Sequence, residues 1–333
     1  MITCPCIKLQ DGNKVPLVGL GTAQTFDDVA QAAVTCALDA GYRLIDTAAY
    51  YDNEIAIGRA LREKFLSSSL QREDVFVTTK LWNTNHGVEN VRRACERSLR
   101  RLGLSYIDLY LVHWPMGFTP SEEEFKGGDC AADETWSYNQ GEFLRDFHRA
   151  QPVDPTPLED TWKEMEKLVD AGLVKSLGLA NFNRSQIERI LKICRIRPQM
   201  LQVELSVHFM NWDIVEFAKS VGMQVTGYAT LGSPALAGGV PSPMYEPHVK
   251  EIALRHHKTP SQVLIRHMLQ LGICTIPKSV NPKRIIENFN VFDFELTPEE
   301  VQTLSTCGRN ERLFKALAWK SHPEYPFTEE APK

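Results

Sequence analysis

The sequence predicts a single domain over residues 1–333, built as a (β/α)8 barrel with an N-terminal β-hairpin and long loops at the end where its strands finish. Two observations predict this fold. Short apolar segments of strand length alternate eight times with amphipathic segments of helix length, and strict alternation implies a parallel sheet. Three of the apolar segments also end in an ionisable residue, where parallel barrels carry their active sites.

The N-terminal hairpin is predicted over about residues 6–16, with its turn at Asp11-Gly12, a dipeptide that favours a type I′ turn. Eight strand–helix units follow from residue 17 onwards. Their strands are predicted in LVGLGT, RLID, VFVTTK, YIDLYLVH, VKSLGLAN, MLQVELS, QVTGYATL and ICTIPKS. Their helices are predicted in DDVAQAAVTCALDAG, NEIAIGRALREKF, VENVRRACERSLRRLG, LEDTWKEMEKLVDAG, RSQIERILKIC, WDIVEFAKSVG, EPHVKEIALRHH and PKRIIENF.

A doubly wound dinucleotide-binding fold is the alternative architecture. It is disfavoured because Gly19-Leu20-Gly21 lacks the third glycine of the G-x-G-x-x-G fingerprint, and that fingerprint occurs nowhere else in the chain. Eight strand–helix units also close most naturally as a barrel, whose active site lies on the loops that follow the strands.

Composition and charge exclude several classes of partner. The net charge of −5 gives no reason to expect nucleic acid or an anionic membrane as a partner. No segment approaches 18 uninterrupted apolar residues, and the N-terminus has no apolar core of signal-peptide length. The eight cysteines show no zinc-binding spacing and are expected to be reduced thiols. We therefore expect a soluble, cytoplasmic protein without a bound metal. It is also expected to be a monomer that acts on a small molecule.

Two segments interrupt the repeat. Residues 115–157 are longer than the ~12–15 residues at which an unstructured connection becomes unusual. Because this segment follows a strand that ends at the predicted active site, we expect it to overhang the site as a lid. Its aromatic residues include Trp136, Tyr138, Phe143 and Phe147. The second segment, residues 232–247, is rich in Gly, Pro and Ser and follows the seventh strand.

Asp46, Tyr51, Lys80 and His113 form the predicted catalytic set. Asp46, Lys80 and His113 each end a predicted strand, and Tyr51 follows Asp46 on a loop. An ammonium ~4 Å from a phenol is worth ~4 kcal/mol at an effective dielectric constant of ~20, or about three pKa units. Lys80 is therefore expected to bring the pKa of Tyr51 close to neutrality. Asp46 is expected to keep Lys80 charged, and His113 to orient a substrate oxygen by a hydrogen bond.

Such a set protonates an oxygen while another reagent attacks the carbon. The sequence offers no serine or cysteine nucleophile with a base and no metal cluster, so a hydride from a nicotinamide is the expected reagent. In the segment IPKSVNPKRIIENF, Lys278 and Ser279 end a strand, and Arg284 follows on a helix that begins near Pro282. Basic groups beside a helix N-terminus suit a phosphate group, which favours NADP(H) over NAD(H).

The chain resembles the aldo-keto reductase family, and within it the branch of aldose, aldehyde and hydroxysteroid reductases. The resemblance rests on VPLVGLGT, GYRLIDTAAYYDNE, TTKLWNT, IDLYLVHWP, VKSLGLANFN, LQVE, IPKSVNPKRIIENF and HPEYPF. It implies NADPH-dependent reduction of aldehydes and ketones to alcohols. It also implies a catalytic tetrad of Asp46, Tyr51, Lys80 and His113, with Tyr51 as the general acid.

The resemblance further implies the ligand-binding residues. Asn181 and Gln202 would hold the nicotinamide carboxamide, and the ring of Tyr228 would stack on the nicotinamide. The complete implied set for the cofactor is Gly21, Thr22, Asp46, Asn181, Gln202, Tyr228, Leu231, Ser233, Lys278, Ser279, Val280, Arg284, Glu287 and Asn288. For the substrate the implied set is Tyr51, Trp82, His113, Trp114 and Phe314, the last in a C-terminal tail over about residues 308–333.

The chain differs from the usual family pattern at three positions. Ala23 stands where an aromatic residue commonly lines the pocket, and Ala180 where a serine usually precedes the asparagine of strand five. Ala235 stands where many relatives carry an aspartate that latches a loop over the cofactor. None of these changes removes a catalytic group. Because Ala23 removes bulk from the pocket, we expect larger hydrophobic carbonyl compounds to be preferred over small sugars.

Two alternative functions stay open on this sequence. One is a non-catalytic NADPH-binding barrel with a structural or regulatory role, against which the intact tetrad weighs. The other is an NAD-dependent polyol or sugar dehydrogenase of the same fold. The sequence leaves the physiological substrate open among steroids, prostaglandins, sugars and lipid aldehydes.

Overall fold

Eight parallel strands form a barrel in the computed structural model, which describes residues 4–120, 152–233 and 241–328. Each strand pairs with the strand that follows it in the chain. After the antiparallel hairpin strands β1 (Cys6–Lys8) and β2 (Lys14–Pro16), the barrel strands are β3 (Leu20–Gly21), β4 (Leu44–Asp46), β5 (Phe76–Leu81), β6 (Ile107–Val112), β7 (Val174–Ala180), β8 (Met200–Glu204), β9 (Gln224–Tyr228) and β10 (Cys274–Thr275).

The barrel closes where its first and last strands meet. Parallel bridges join Val18 to Thr275 and Gly21 to Lys278, and the Gly19 N–H donates to the Thr275 carbonyl at 2.9 Å. A Cβ atom on Gly21 would lie 2.5 Å from the Ile276 carbonyl oxygen, so this closing seam requires a glycine. The predicted (β/α)8 barrel is thereby confirmed.

Ten α-helices lie in the described residues, two more than the sequence pattern predicted. They are α1 (Asp27–Ala40), α2 (Glu54–Ser67), α3 (Asn90–Leu102), α4 (Leu158–Asp170), α5 (Arg184–Ile193), α6 (Trp212–Ser220), α7 (Pro247–Arg255), α8 (Pro260–Gln270), α9 (Pro282–Phe289) and α10 (Pro298–Thr306). The unpredicted helices are α8 and α10. Each begins with a Thr-Pro pair and a capping box, formed by Thr259 with Gln262 and by Thr297 with Glu300.

The N-terminal hairpin covers the amino-terminal end of the barrel. The Asp11 N–H donates to Gln199 Oε1 at 2.9 Å, and the Ser176 hydroxyl donates to Asp11 Oδ2 at 2.6 Å. The predicted type I′ turn is wrong, since it needs two residues with positive φ and, of the pair, Gly12 alone has one, at 94°. The Leu9 carbonyl instead accepts the Gly12 N–H, so the loop is a longer one in which the glycine takes the left-handed position.

Apolar side chains fill both the barrel and the layer outside it. The interior cluster includes Leu44, Leu109, Leu111 and Met200, and the hairpin contributes Leu9 from below. Two larger clusters lie between the strands and the surrounding helices. The barrel therefore has a packed core, and its carboxyl-terminal end is left to carry polar groups.

The seven cysteines within the described ranges are free thiols. Across those same ranges, no helix combines the length and the apolar character needed to cross a membrane.

Candidate active site

The four predicted catalytic residues lie together at the carboxyl-terminal end of the barrel. Asp46 ends β4, His113 directly follows β6, and Tyr51 lies in a 3-10 turn (Ala49–Tyr51) after β4. Lys80 was predicted to end its strand, but β5 continues to Leu81. The parallel order of β4, β5 and β6 brings these ends side by side.

Lys80 is the centre of the site's electrostatics. Its ammonium donates to Asp46 Oδ1 at 2.6 Å and to the Thr47 carbonyl at 2.8 Å, and it is hydrogen-bonded to the Tyr51 hydroxyl. The Lys80 side chain is fully buried, which by itself would lower its pKa. The charge of Asp46 and the bond to Tyr51 more than offset this and raise the pKa of Lys80 above its usual value. Lys80 is therefore charged at neutral pH.

The phenol of Tyr51 does not have the lowered pKa that the sequence suggested. Burial is the largest influence and raises the pKa of Tyr51 above its usual value of 10, although the nearby Lys80 charge opposes the shift. The expectation counted the attraction of Lys80 for the phenolate and neglected the loss of hydration. Tyr51 consequently keeps its proton at neutral pH and is a donor.

His113 is a neutral hydrogen-bonding group beside the phenol. Its ring centre lies 5.7 Å from that of Tyr51 and 5.3 Å from that of Trp82, with the rings nearly perpendicular. Burial, reinforced by the charge of Lys80, lowers the pKa of His113 well below its usual value. The His113 Nδ1 atom has no hydrogen-bond partner among the described residues. A neutral imidazole can donate one hydrogen bond, so His113 can orient an oxygen at this end of the barrel.

A second row of polar groups extends from the tetrad across the next strands. Gln202 Nε2 donates to Asp46 Oδ2 at 2.7 Å, and the Tyr228 hydroxyl donates to Asn181 Oδ1 at 2.8 Å. Asn181 Nδ2 in turn donates to the His113 carbonyl at 2.9 Å. A primary amide can make up to four hydrogen bonds, so Asn181 and Gln202 keep capacity for a ligand.

Basic groups and a helix N-terminus follow the last strand of the barrel. Lys278 and Val280 are exposed after β10, Ser279 is half-buried, and α9 begins at Pro282. Asn281 caps this helix by accepting the Arg284 N–H at 3.1 Å, and the Arg284 side chain is exposed. Two exposed cationic side chains, Lys278 and Arg284, beside a helix N-terminus fit a phosphate group.

The remaining predicted cofactor residues lie around the same rim. Thr22 donates to the Asp46 carbonyl at 2.9 Å, next to Gly21 in the closing seam. Leu231 and Ser233 follow β9 and are half-buried. Further along α9, Asn288 is buried, while the half-buried Glu287 lies 4.0 Å from Lys283.

Aromatic side chains form one wall of the site. Tyr50 and Trp82 stack with ring centres 3.7 Å apart, and Trp319 meets Trp82 at 6.1 Å and Trp114 at 6.0 Å, both edge to face. Trp319 was not predicted as a site residue from the sequence. The available signal was that an aromatic residue stands shortly before HPEYPF. Phe314, predicted to line the pocket, lies edge-on to Tyr228 with ring centres 5.4 Å apart.

The predicted lid and the three alanine positions lie in different parts of the chain. Residues 121–151, with the aromatic residues of the predicted lid, lie outside the described residues, and so does Ala235. Ala23 is half-buried. Ala180 is buried among the apolar side chains of the barrel interior.

Comparison with known proteins gives one consistent family. The model of the "Aldo/keto reductase family" matches residues 17–309. Aldo-keto reductase family 1 member A1-A of Danio rerio is 42% identical over 97% of this chain and 98% of its own length. Aldo-keto reductase family 1 member A1 of Homo sapiens is 38% identical over 97% of this chain and 98% of its own length.

Two solved structures share the fold along the whole chain. The aldose reductase from Schistosoma japonicum is 46% identical, with a TM-score of 0.86 over 98% of this chain and 100% of that one. A Bombyx mori aldo-keto reductase in complex with NADP is 34% identical, with a TM-score of 0.85 and the same coverage of 98% and 100%.

Proposed function

Because the chain belongs to the aldo/keto reductase family, we propose that it is an oxidoreductase that reduces aldehydes and ketones to alcohols with NADPH. The observation that carries this proposal is the hydrogen-bonded series Tyr51–Lys80–Asp46, with His113 beside the Tyr51 ring at the end of the barrel. Such a series can deliver a proton to an oxygen and keep the resulting charge paired.

Each member of the tetrad has a distinct task in this proposal. His113, neutral because it is buried, donates a hydrogen bond to the substrate carbonyl oxygen and fixes its position. Tyr51 transfers its hydroxyl proton to that oxygen as negative charge develops there. Lys80 is hydrogen-bonded to Tyr51 and stabilises the phenolate that remains, and Asp46 holds Lys80 in place at 2.6 Å.

The nicotinamide, when bound, supplies the hydride that adds to the carbonyl carbon. Asn181, Gln202 and Tyr228 are proposed to hold the nicotinamide end, since their polar groups form one connected row with Asp46 and His113. Lys278 and Arg284 are proposed to hold the adenosine phosphate, because both are exposed cations close to the N-terminus of α9.

The substrates are proposed to be aromatic or polycyclic carbonyl compounds. Trp82, Trp114 and Trp319 pack in one aromatic cluster next to His113, which suits an aromatic or polycyclic substrate better than a sugar. We also propose that the protein is a cytoplasmic monomer.

Cofactor oxidation with a carbonyl panel tests the proposal. NADPH absorbance is followed with an aromatic aldehyde, a polycyclic ketone and an open-chain sugar, and the series is repeated with NADH. We expect turnover with NADPH and a higher kcat/KM for the aromatic and polycyclic compounds. If no carbonyl compound is turned over, the alternative of a non-catalytic barrel is favoured. If NADH is used as well as NADPH and sugars are preferred, the alternative of a polyol dehydrogenase is favoured.

A further inference from the structure

Glu204 is a buried carboxylate that ties the C-terminal tail to the candidate active site. It ends β8 and has no exposed surface. Its Oε1 atom accepts the Leu313 N–H and its Oε2 atom accepts the Phe314 N–H, both at 2.8 Å. Hydrogen bonds to an ionised acceptor are stronger than neutral ones. Two of them to successive residues fix both the position and the direction of the chain at this point.

Phe314, whose backbone Glu204 holds, in turn contacts the ring of Tyr228. Glu204 is opposite Tyr228 in the register of β8 and β9, so both lie at the same level of the barrel end. The Phe314 ring meets the Tyr228 ring edge to face, with centres 5.4 Å apart and planes at 76°. At its other end, Tyr228 donates its hydroxyl to Asn181 at 2.8 Å. The Tyr228 ring is thus held by a tail residue on one side and by its hydroxyl on the other.

The tail depends on such anchors because it has little regular structure of its own. Over residues 308–328 it contains one 3-10 turn, Leu317–Trp319, and its later anchors are far along the chain. His322 contacts the Gly117 carbonyl at 2.9 Å, and Glu324 pairs with Arg189 at 2.7 Å. Glu204 is the side chain that holds the backbone of Phe314 itself.

We propose that Glu204 is a positioning residue for the cofactor. It fixes the backbone of Phe314, and Phe314 fixes the plane of the Tyr228 ring on which the nicotinamide stacks. This role rests on the proposed function, because it assigns a face of the Tyr228 ring to the nicotinamide. Glu204 does not touch the cofactor in this scheme, and its effect on cofactor affinity passes through two aromatic rings.

The substitution Glu204→Gln tests this role with little change in shape. A glutamine offers one acceptor oxygen and places an NH2 group against the second backbone N–H, so one of the two bonds is lost. We expect the Kd for NADPH, measured by fluorescence titration without substrate, to rise roughly 2- to 12-fold, the worth of one edge-to-face ring contact. The melting temperature should also fall.

Glu166 supplies a matched control. It is 5% exposed on α4, and its Oε1 atom accepts the N–H groups of the successive residues Arg195 and Ile196 at 2.6 and 2.8 Å. Glu166→Gln should also lower the melting temperature, because its acceptor oxygen loses the negative charge that strengthens both bonds, and it should leave the Kd for NADPH unchanged. If both variants change Kd alike, or if Glu204→Gln lowers stability alone, the positioning role is overturned.

A double-mutant cycle of Glu204→Gln with Phe314→Ala tests whether the effect of Glu204 on cofactor affinity passes through Phe314. Phe314→Ala removes the ring and keeps the two backbone bonds to Glu204, so it also tests the path if Glu204→Gln does not fold. We expect each single variant to raise the Kd, and the double variant to raise it no further than the larger single effect. Additive effects would overturn the path through Phe314.

The same titrations separate this role from the proposed function. A wild-type protein that binds no NADPH would overturn the proposed function as well. Normal NADPH binding by the wild-type protein, with an unchanged Kd in the variants, would overturn this role alone.

Discussion

At the scale of single residues, Tyr51 is subject to two opposed influences. Burial disfavours its phenolate, and the Lys80 charge favours it, with burial the larger of the two. A phenol that is protonated before the reaction can give its proton to a developing alkoxide, which is the stronger base. Lys80 therefore contributes most after the transfer, when the phenolate would otherwise be a buried and unpaired charge.

The role of the Tyr51 hydroxyl as proton donor can be tested by removing it. Because Phe keeps the ring and loses the proton, we expect Tyr51→Phe to lower kcat by ~10²–10⁴-fold with the Kd for NADPH nearly unchanged. Tyr245→Phe is a matched control, since Lys250 lies 5.3 Å from the exposed Tyr245 ring much as Lys80 lies 5.0 Å from the Tyr51 ring. A folded Tyr51→Phe variant with near-normal kcat would show that another group donates the proton.

Arg284 is proposed to determine the choice between NADPH and NADH. A charge-assisted hydrogen bond is worth ~1.5–3 kcal/mol, so Arg284→Ala should weaken NADPH binding ~10–150-fold. NADH lacks the adenosine phosphate, and its affinity should change little. Lys283→Ala is the neighbouring control, because Lys283 is an exposed cation on the same helix that faces Glu287 at 4.0 Å. Equal losses for NADPH and NADH would place Arg284 away from the phosphate.

At the scale of elements, the helices α8 and α10 form a contact that the sequence pattern did not predict. His267 on α8 is fully buried and its Nε2 atom is 2.9 Å from the Ser305 hydroxyl on α10. Burial lowers the pKa of His267 from 6.5 to about 4. The folded protein therefore keeps His267 neutral at pH values where the unfolded chain would charge it.

This shift predicts a loss of stability on acidification. Between pH 6.5 and about 4 the unfolded chain binds a proton that folded His267 does not, so the free energy of unfolding should fall by ~3 kcal/mol across this window. We expect His267→Gln to reduce the pH dependence of urea unfolding by about that amount. The exposed His248→Gln controls for the substitution itself. An unchanged pH profile in His267→Gln would mean that the pKa of His267 is the same in the folded and the unfolded chain.

The predictability of an element depended on the kind of signal it left in the sequence. Strand order followed from the alternation of apolar segments, because sequential strands of a parallel barrel have no other arrangement. The helices α8 and α10 were not predicted although TPSQ and TPEE are capping signals, because the eightfold repeat is complete without them. Glu204 left no local signal, because its contacts join segments far apart in the chain. The local signal of Trp319 was limited to an aromatic residue shortly before HPEYPF, and its partner Trp114 is far away in the sequence.

At the scale of the whole molecule, the barrel depends on its closing seam. Gly21 is a tight point there, since a Cβ atom would lie 2.5 Å from a backbone oxygen that cannot rotate away. We expect Gly21→Ala to lower the free energy of unfolding by ~1–3 kcal/mol, as overpacking does in other cores. Gly227→Ala on β9 is the control, because its Cβ would meet only the movable Leu205 and Ile273 side chains, at 3.1 Å or more. Equal stability losses in chemical denaturation would show that the seam adapts.

The seam also has a consequence for the order in which the chain folds. Every other strand pair joins neighbours in sequence, whereas Val18 and Thr275 are more than 250 residues apart. Contacts of such long separation carry the largest loss of chain entropy and form late. Until they form, β3 and β10 are open sheet edges on which a second chain can pair. Dilution during refolding should therefore favour the native protein, and once the seam closes the barrel has no free strand to recruit a neighbour.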